Sequence, residues 1–217
     1  MSCSLCEVRK EKRFCPAIHG RICPQCCGEK REVTIDCPSD CAYLRQAHEH
    51  EKPRPMADLD PAALFPAVEI EQAFLYQHEQ LILGLSFALA NSVRRERALN
   101  DQDLILALAS ITRSYETLVN SGLHYEVPSA NPLQQVVAAE IQKMVAEYRQ
   151  LEQQQVGHAR LKDSEILKAL VFLTRMAHGR TSGRPRSRAF VEFILAQFPE
   201  KSGVAAPEQE SSRIIVP

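Results

Sequence analysis

All eight cysteines of this 217-residue chain fall between Cys3 and Cys41. They run Cys3-x2-Cys6, then Cys15, then Cys23-x2-Cys26-Cys27, then Cys37-x3-Cys41. A segment of about forty residues cannot bury enough apolar surface to fold unaided, so the thiols are expected to staple it. Eight thiolates are what two tetrahedral all-cysteine zinc sites consume. Proline directly follows Cys15, Cys23 and Cys37, where its fixed φ helps preform the tight turn that lets two thiolates face one ion. Gly20 and Gly28 stand where such a turn needs backbone N–H groups close to sulfur. Disulfides are the weaker reading, because no apolar targeting segment precedes Cys3. An iron–sulfur cluster is the other competitor, to be separated by metal analysis, but the compact ferredoxin run of cysteines ending in Cys-Pro is missing. The expectation is Zn2+, two ions per chain.

The ligand order suggests interleaved sites. Four successive groups (Cys3/Cys6, Cys15, Cys23/Cys26/Cys27, Cys37/Cys41) fit a cross-brace in which the first and third share an ion. Site one then takes Cys3, Cys6, Cys23 and Cys26. Site two takes Cys15, Cys37 and Cys41, with either Cys27 or His19 as its fourth ligand. Both candidates sit in one C-P-x-x-(H/C)-G frame, Cys15 to Gly20 and Cys23 to Gly28. Cys27 is preferred because it leaves no thiol over, whereas His19 would leave one free. The run Cys37-Pro38-Ser39-Asp40-Cys41 reads as a helix start, with both cysteines on one face and the helix continuing toward His50. His48 lies about 10 Å beyond Cys41 along such a helix, too far to share its ion.

This spacing resembles the B-box and RING-like cross-brace zinc modules over residues 3–41. It departs from the B-box pattern in the long gap before Cys37, the spacing of the last pair and the scarcity of histidines. The strings around Cys23–Gly28 and Cys37–Leu44 are also similar to the cysteine-rich N-terminus of uncharacterised bacterial proteins. The cross-brace resemblance implies a binding module with a protein-contact surface. It does not imply ubiquitin-ligase activity, because a RING's ligand spacing is absent.

Beyond the cysteines the chain reads as mainly α. Residues 1–50 form the expected two-zinc module, and prolines 53, 55, 61 and 66 mark 51–66 as a Pro-rich linker. Within it, Asp60-Pro61 opens a short helical turn through Leu64. Residues 67–198 carry apolar seams at helical spacing and predict an antiparallel bundle of about five helices. The first has the seam Ile70, Phe74, Gln77, Leu81, Gly84 and Ala88, apolar on several sides around Leu81–Ala90. Later helices start at Asn100 or Asp101, after Asn131-Pro132, at Asp163 or Ser164, and after Pro185. Gly122 and Gly157 are the expected stops. Residues 199–217 read as a flexible tail ending in Ile214-Ile215-Val216-Pro217.

Nothing in the sequence carries a familiar catalytic signature: there is no P-loop, G-x-G-x-x-G, G-x-S-x-G or H-E-x-x-H. The formal net charge of −1 gives no global pull toward nucleic acid or a membrane. One local imbalance stands out, with eight Lys/Arg against two acids over residues 159–190. Within it, Arg180, Arg184, Arg186 and Arg188 are candidate phosphate or nucleic-acid contacts at a helix start. The reading taken is a non-enzymatic zinc-binding adaptor with a protein partner, in a reducing cytoplasm. The alternatives are a nucleic-acid-binding regulator using the basic 159–190 face and a zinc–thiolate redox switch. The helix seams are equally compatible with a homo-oligomer.

Overall fold

The computed structural model of the chain describes residues 1–51, 55, 58–123 and 131–199. The expected tail, apart from Pro199, and the linker prolines 53 and 61 fall on either side of that boundary: Pro53 and the tail lie outside the described residues, Pro61 within them.

The N-terminal segment folds around its cysteines. Strands β1 (Arg13–Cys15) and β2 (Gly20–Ile22) pair antiparallel, Cys15 facing Gly20 and Arg13 facing Ile22. A 3-10 turn over Pro16–Ile18, with His19 in the left-handed region (φ 48), closes this hairpin. Helix α1 (Pro24–Lys30) follows at once, with Cys23 as its N-cap and proline at its first position, where the missing N–H has no partner to lose. Ile22 and Ile35 pack with Cys3, Cys15, Cys23 and Cys26 into a small core of the segment's own. A Cβ at Gly20 would meet Ser4 Oγ at 3.1 Å, so the serine would have to give way by a few tenths of an ångström. Gly28 has no such role: it lies inside α1 with open space where its Cβ would be.

Helix α2 (Ala42–His50) begins later than its sequence suggests. The Cys41 N–H donates to Pro38 O at 3.0 Å, forming a turn, and Cys41 itself is the extended N-cap (ψ 116). Both Cys37 and Cys41 therefore precede the helix rather than sharing one of its faces.

Six α-helices follow among the described residues: α3 (Gln72–Gln77), α4 (Glu79–Arg95), α5 (Asp101–Ser121), α6 (Pro132–Val156), α7 (Asp163–Arg180) and α8 (Ala189–Gln197). The first predicted helix is thus two, broken at His78 (φ −113, ψ 25). The others start and stop where their caps dictate. Asn100 and Asp103 exchange side-chain bonds as a capping box at α5, and Asn131 Oδ1 accepts from Leu133 N–H at α6. Gly122 and Gly157 end those helices at φ 69 and 84, a conformation that costs glycine little. Helix α5 packs on α7 and α6, while α4 packs on α6, α7 and α8. Leu85, Leu89, Leu104, Leu108, Ile141, Leu170 and Phe190 are fully buried at the centre of that contact.

Half of the expected linker belongs to this helical body. A 3-10 turn at Pro61–Leu64 leads into Phe65, which is 4% exposed and packs with Val171 of α7. The Arg175 guanidinium in α7 donates to the carbonyls of Leu64, Phe65 and Val68, each at 2.8 Å. No helix among the described residues is long and apolar enough to cross a membrane.

Candidate metal centre

Two short turns bring four cysteines together. In the first, the Leu5 N–H donates to Cys3 Sγ at 3.5 Å, and Glu7, at φ 56, turns the chain back after Cys6. In the second, Cys26 N–H donates to Cys23 Sγ at 3.4 Å across the first turn of α1. The two turns are laced to each other: Cys23 N–H reaches Cys3 Sγ at 3.2 Å, and Ser4 N–H bonds Arg21 O of β2 at 2.9 Å. The ligand atoms of Cys3, Cys6, Cys23 and Cys26 consequently lie within 4.8 Å of one another. Sulfurs around a tetrahedral zinc, with Zn–S near 2.3 Å, are separated by about 3.8 Å, so the group is sized for one ion. Among the described residues it is the one group of three or more potential ligands drawn this close.

The electrostatics fit a cation. Burial opposes ionisation of Cys3, but N–H donors from Cys23, Leu5 and Cys6 outweigh it and pull the thiol down to about 6. Cys23 is lowered as well, chiefly by the Cys26 N–H. Cys26 moves the other way, to about 12, through burial and the neighbouring thiols. Four thiolates cannot share this space without a positive ion among them. Part of the charge is met by Arg9, which bonds Cys23 and thereby has its own pKa raised.

The remaining four cysteines are not drawn as close to one another. Cys15, Cys27, Cys37 and Cys41 line one cavity of about 10 Å³, together with Arg31 and Tyr43. That volume is roughly one water-sized sphere. Arg13 Nη1 donates to Cys27 Sγ at 3.4 Å and stacks its guanidinium over Tyr43, 4.6 Å from the ring centroid. Burial raises the Cys37 thiol, opposed by an N–H from Glu32. Arg31 Nε is buried without a hydrogen-bond partner. His19 sits exposed at the end of the hairpin turn and does not line this cavity. His48 is instead engaged with Glu32, its Nε2 3.4 Å from the carboxylate.

The four arginines singled out as phosphate contacts are mostly occupied within the chain. Arg184 Nη1 donates to Arg31 O at 2.7 Å and Gly28 O at 3.1 Å. Arg188 Nη1 donates to Arg97 O and Leu99 O at 2.8 and 2.5 Å. Arg180 lies over the Phe193 ring, 4.1 Å from its centroid. Arg186 has an exposed side chain, while its N–H bonds Glu32 O at 2.8 Å. Sequence reasoning missed Glu32, which is 1% exposed and joins the cysteine segment to the helices. Its local setting, one of three acids (Glu29, Glu32 and Asp36) between two cysteine groups, carries no specificity.

The chain matches no protein-family model, no curated protein and no solved structure.

Proposed function

We propose that the chain is a non-enzymatic zinc protein, a two-zinc cross-brace module ahead of an antiparallel helical bundle, that serves as an interaction adaptor. The observation that carries the metal reading is the convergence of four cysteine sulfurs within 4.8 Å. Zinc suits four thiolates in a closed site with no open coordination position, which is a structural rather than a catalytic arrangement. A second ion held by Cys15, Cys27, Cys37 and Cys41 draws support from their shared cavity and from the guanidinium of Arg13 on Cys27. Exposure of His19 favours Cys27 as the fourth ligand there. The adaptor reading draws support from apolar side chains presented by the module, with Val8 87% and Phe14 55% exposed.

Elemental analysis of protein purified without chelator, paired with a free-thiol count, tests the metal reading. Two zinc ions per chain and no reactive thiol are expected; iron, or disulfides without metal, would overturn it. For the adaptor role, proteins retained by the intact chain and by a Cys23→Ser variant are compared by mass spectrometry. An identical set from both would remove the module from partner binding. The nucleic-acid alternative is weakened by the engagement of Arg180, Arg184 and Arg188 with groups of the same chain.

A further inference from the structure

The Cys27–Cys37 segment is held by the helical body at a point far from it in sequence. Glu32, in the middle of the segment, adopts the left-handed conformation (φ 53) and is buried. A side-chain-bearing residue in that region costs about 1 kcal/mol and persists where surroundings over-determine it. Here they do. The carboxylate accepts from Ser182 Oγ at 3.1 Å and Arg188 N–H at 3.4 Å, and its carbonyl accepts from Arg186 N–H at 2.8 Å. Its own N–H is directed to Cys37 Sγ.

The second contact falls on α1. A seven-residue helix is too short to be stable alone, and the carbonyls at its C-terminal end lack intrahelical partners. Arg184 supplies a partner for two carbonyls there, its Nη1 donating to Gly28 O and to the C-cap Arg31 O just after Cys26 and Cys27. Loop 182–188 thus grips both ends of the stretch between Cys27 and Glu32. The first cysteine set takes its N–H donors from Leu5, Cys23 and Cys26, all within the segment itself.

We infer that Glu32 and Arg184 are positioning residues for the second metal site, and that metal loading there is linked to docking of the cysteine segment on the helical body. The inference rests on the two-zinc reading above. Docking holds Cys27 and Cys37 in place for the ion. By reciprocity the ion holds loop 182–188 in place, and its removal loosens the stretch bearing Arg184, Arg186 and Arg188.

The test follows zinc leaving the full-length, zinc-loaded chain into excess chromophoric chelator. Wild type is compared with Arg184→Ala, Arg184→Lys and Glu32→Ala, with helix content checked by circular dichroism. One of the two ions should leave at least about tenfold faster in each variant, the scale typical for residues that orient metal ligands, while the other keeps its wild-type rate. Arg184→Lys should not rescue, because both bonds leave the single Nη1, one bond farther from the backbone than a lysine Nζ reaches. In the wild type, zinc removal should speed hydrogen exchange at the Arg186 and Arg188 amides. Unchanged release of both ions in the folded variants overturns the coupling alone, as does unchanged exchange of those amides. A wild type that holds fewer than two zinc ions removes the two-zinc reading and the coupling with it.

Discussion

Ser187 and Asp101 bond each other twice: the serine hydroxyl donates to the carboxylate at 2.6 Å, and the Asp101 N–H donates to the serine carbonyl at 2.9 Å. The same carboxylate accepts from the Phe190 and Val191 N–H groups at 3.1 and 3.0 Å. One buried acid therefore ties the start of α5 to the start of α8. Asp101→Ala should cost roughly 3 kcal/mol, because bonds to a charged group are lost and buried donors are left unpaired. Asp101→Asn should recover part of it. Urea unfolding measures both, and a loss under about 0.5 kcal/mol would contradict the role.

The partition of the cysteines makes a second prediction. On the proposed two-zinc reading, Cys3→Ser and Cys41→Ser should each lower zinc content from two ions to one, because each removes a proposed ligand of a different site. His19→Ala should leave the content unchanged. Elemental analysis decides; a loss on His19→Ala would move the fourth ligand from Cys27 to the histidine.

Arg175 is the clamp for the strap between the two parts of the chain. Replacing it with alanine removes three bonds to backbone carbonyls and leaves those oxygens beside a buried gap. Hydrogen exchange should rise across residues 58–68 while the α5 core keeps its protection. Lysine should restore little, since one ammonium cannot match the guanidinium's spread of donors.

Thr112 and Thr174 meet between α5 and α7 with their hydroxyls 3.5 Å apart, yet each already donates to a carbonyl one turn back, Leu108 O and Leu170 O. The contact between the two hydroxyls is thus redundant. The paired change Thr112→Val with Thr174→Val should be within about 1 kcal/mol of wild type, because both polar groups leave together. A double-mutant cycle by thermal or urea unfolding would show a large coupling energy if the pair mattered.

The His48–Glu32 pair sets a pH dependence. Its bond to Glu32 raises His48 above the ordinary 6.5, with Glu51 assisting and burial and Arg31 opposing. Burial pushes Glu32 up, but His48, Ser182 and the Arg188 N–H more than offset this, and its pKa is lowered. The histidine's contribution is full below 6.5 and is lost as pH rises through its raised value. The glutamate's is present above 4.5 and is lost as pH falls through its lowered value. Stability should accordingly decline as pH rises above 6.5 in wild type and less so in His48→Gln. Parallel declines in urea titrations across pH would count against the pair.

Much of this molecule was readable from local chemistry. Asn100, Asn131, Gly122 and Gly157 mark helix ends because each acts on backbone groups within a few residues of itself. The same locality explains the cysteine turns at Cys3–Cys6 and Cys23–Cys26, which depend on spacing alone. Reading failed where the decisive neighbour was not periodic. The seam from Ile70 to Ala88 is continuous in sequence, yet the backbone breaks at His78, and Pro38 makes a turn rather than opening α2.

The basic loop marks the limit most clearly. Four arginines in a loop that carries no acid of its own look free to hold phosphate, and charge counting has no way to see otherwise. Two of them spend their guanidiniums on the carbonyls of Gly28, Arg31, Arg97 and Leu99, groups that every residue carries and no sequence distinguishes. The cysteine turns at Cys3–Cys6 and Cys23–Cys26 and most helix ends were set by residue type at short range. Which backbone oxygens face Arg184, and hence that Glu32 is buried against a loop 150 residues away, was decided only when the tertiary fold brought the two segments together.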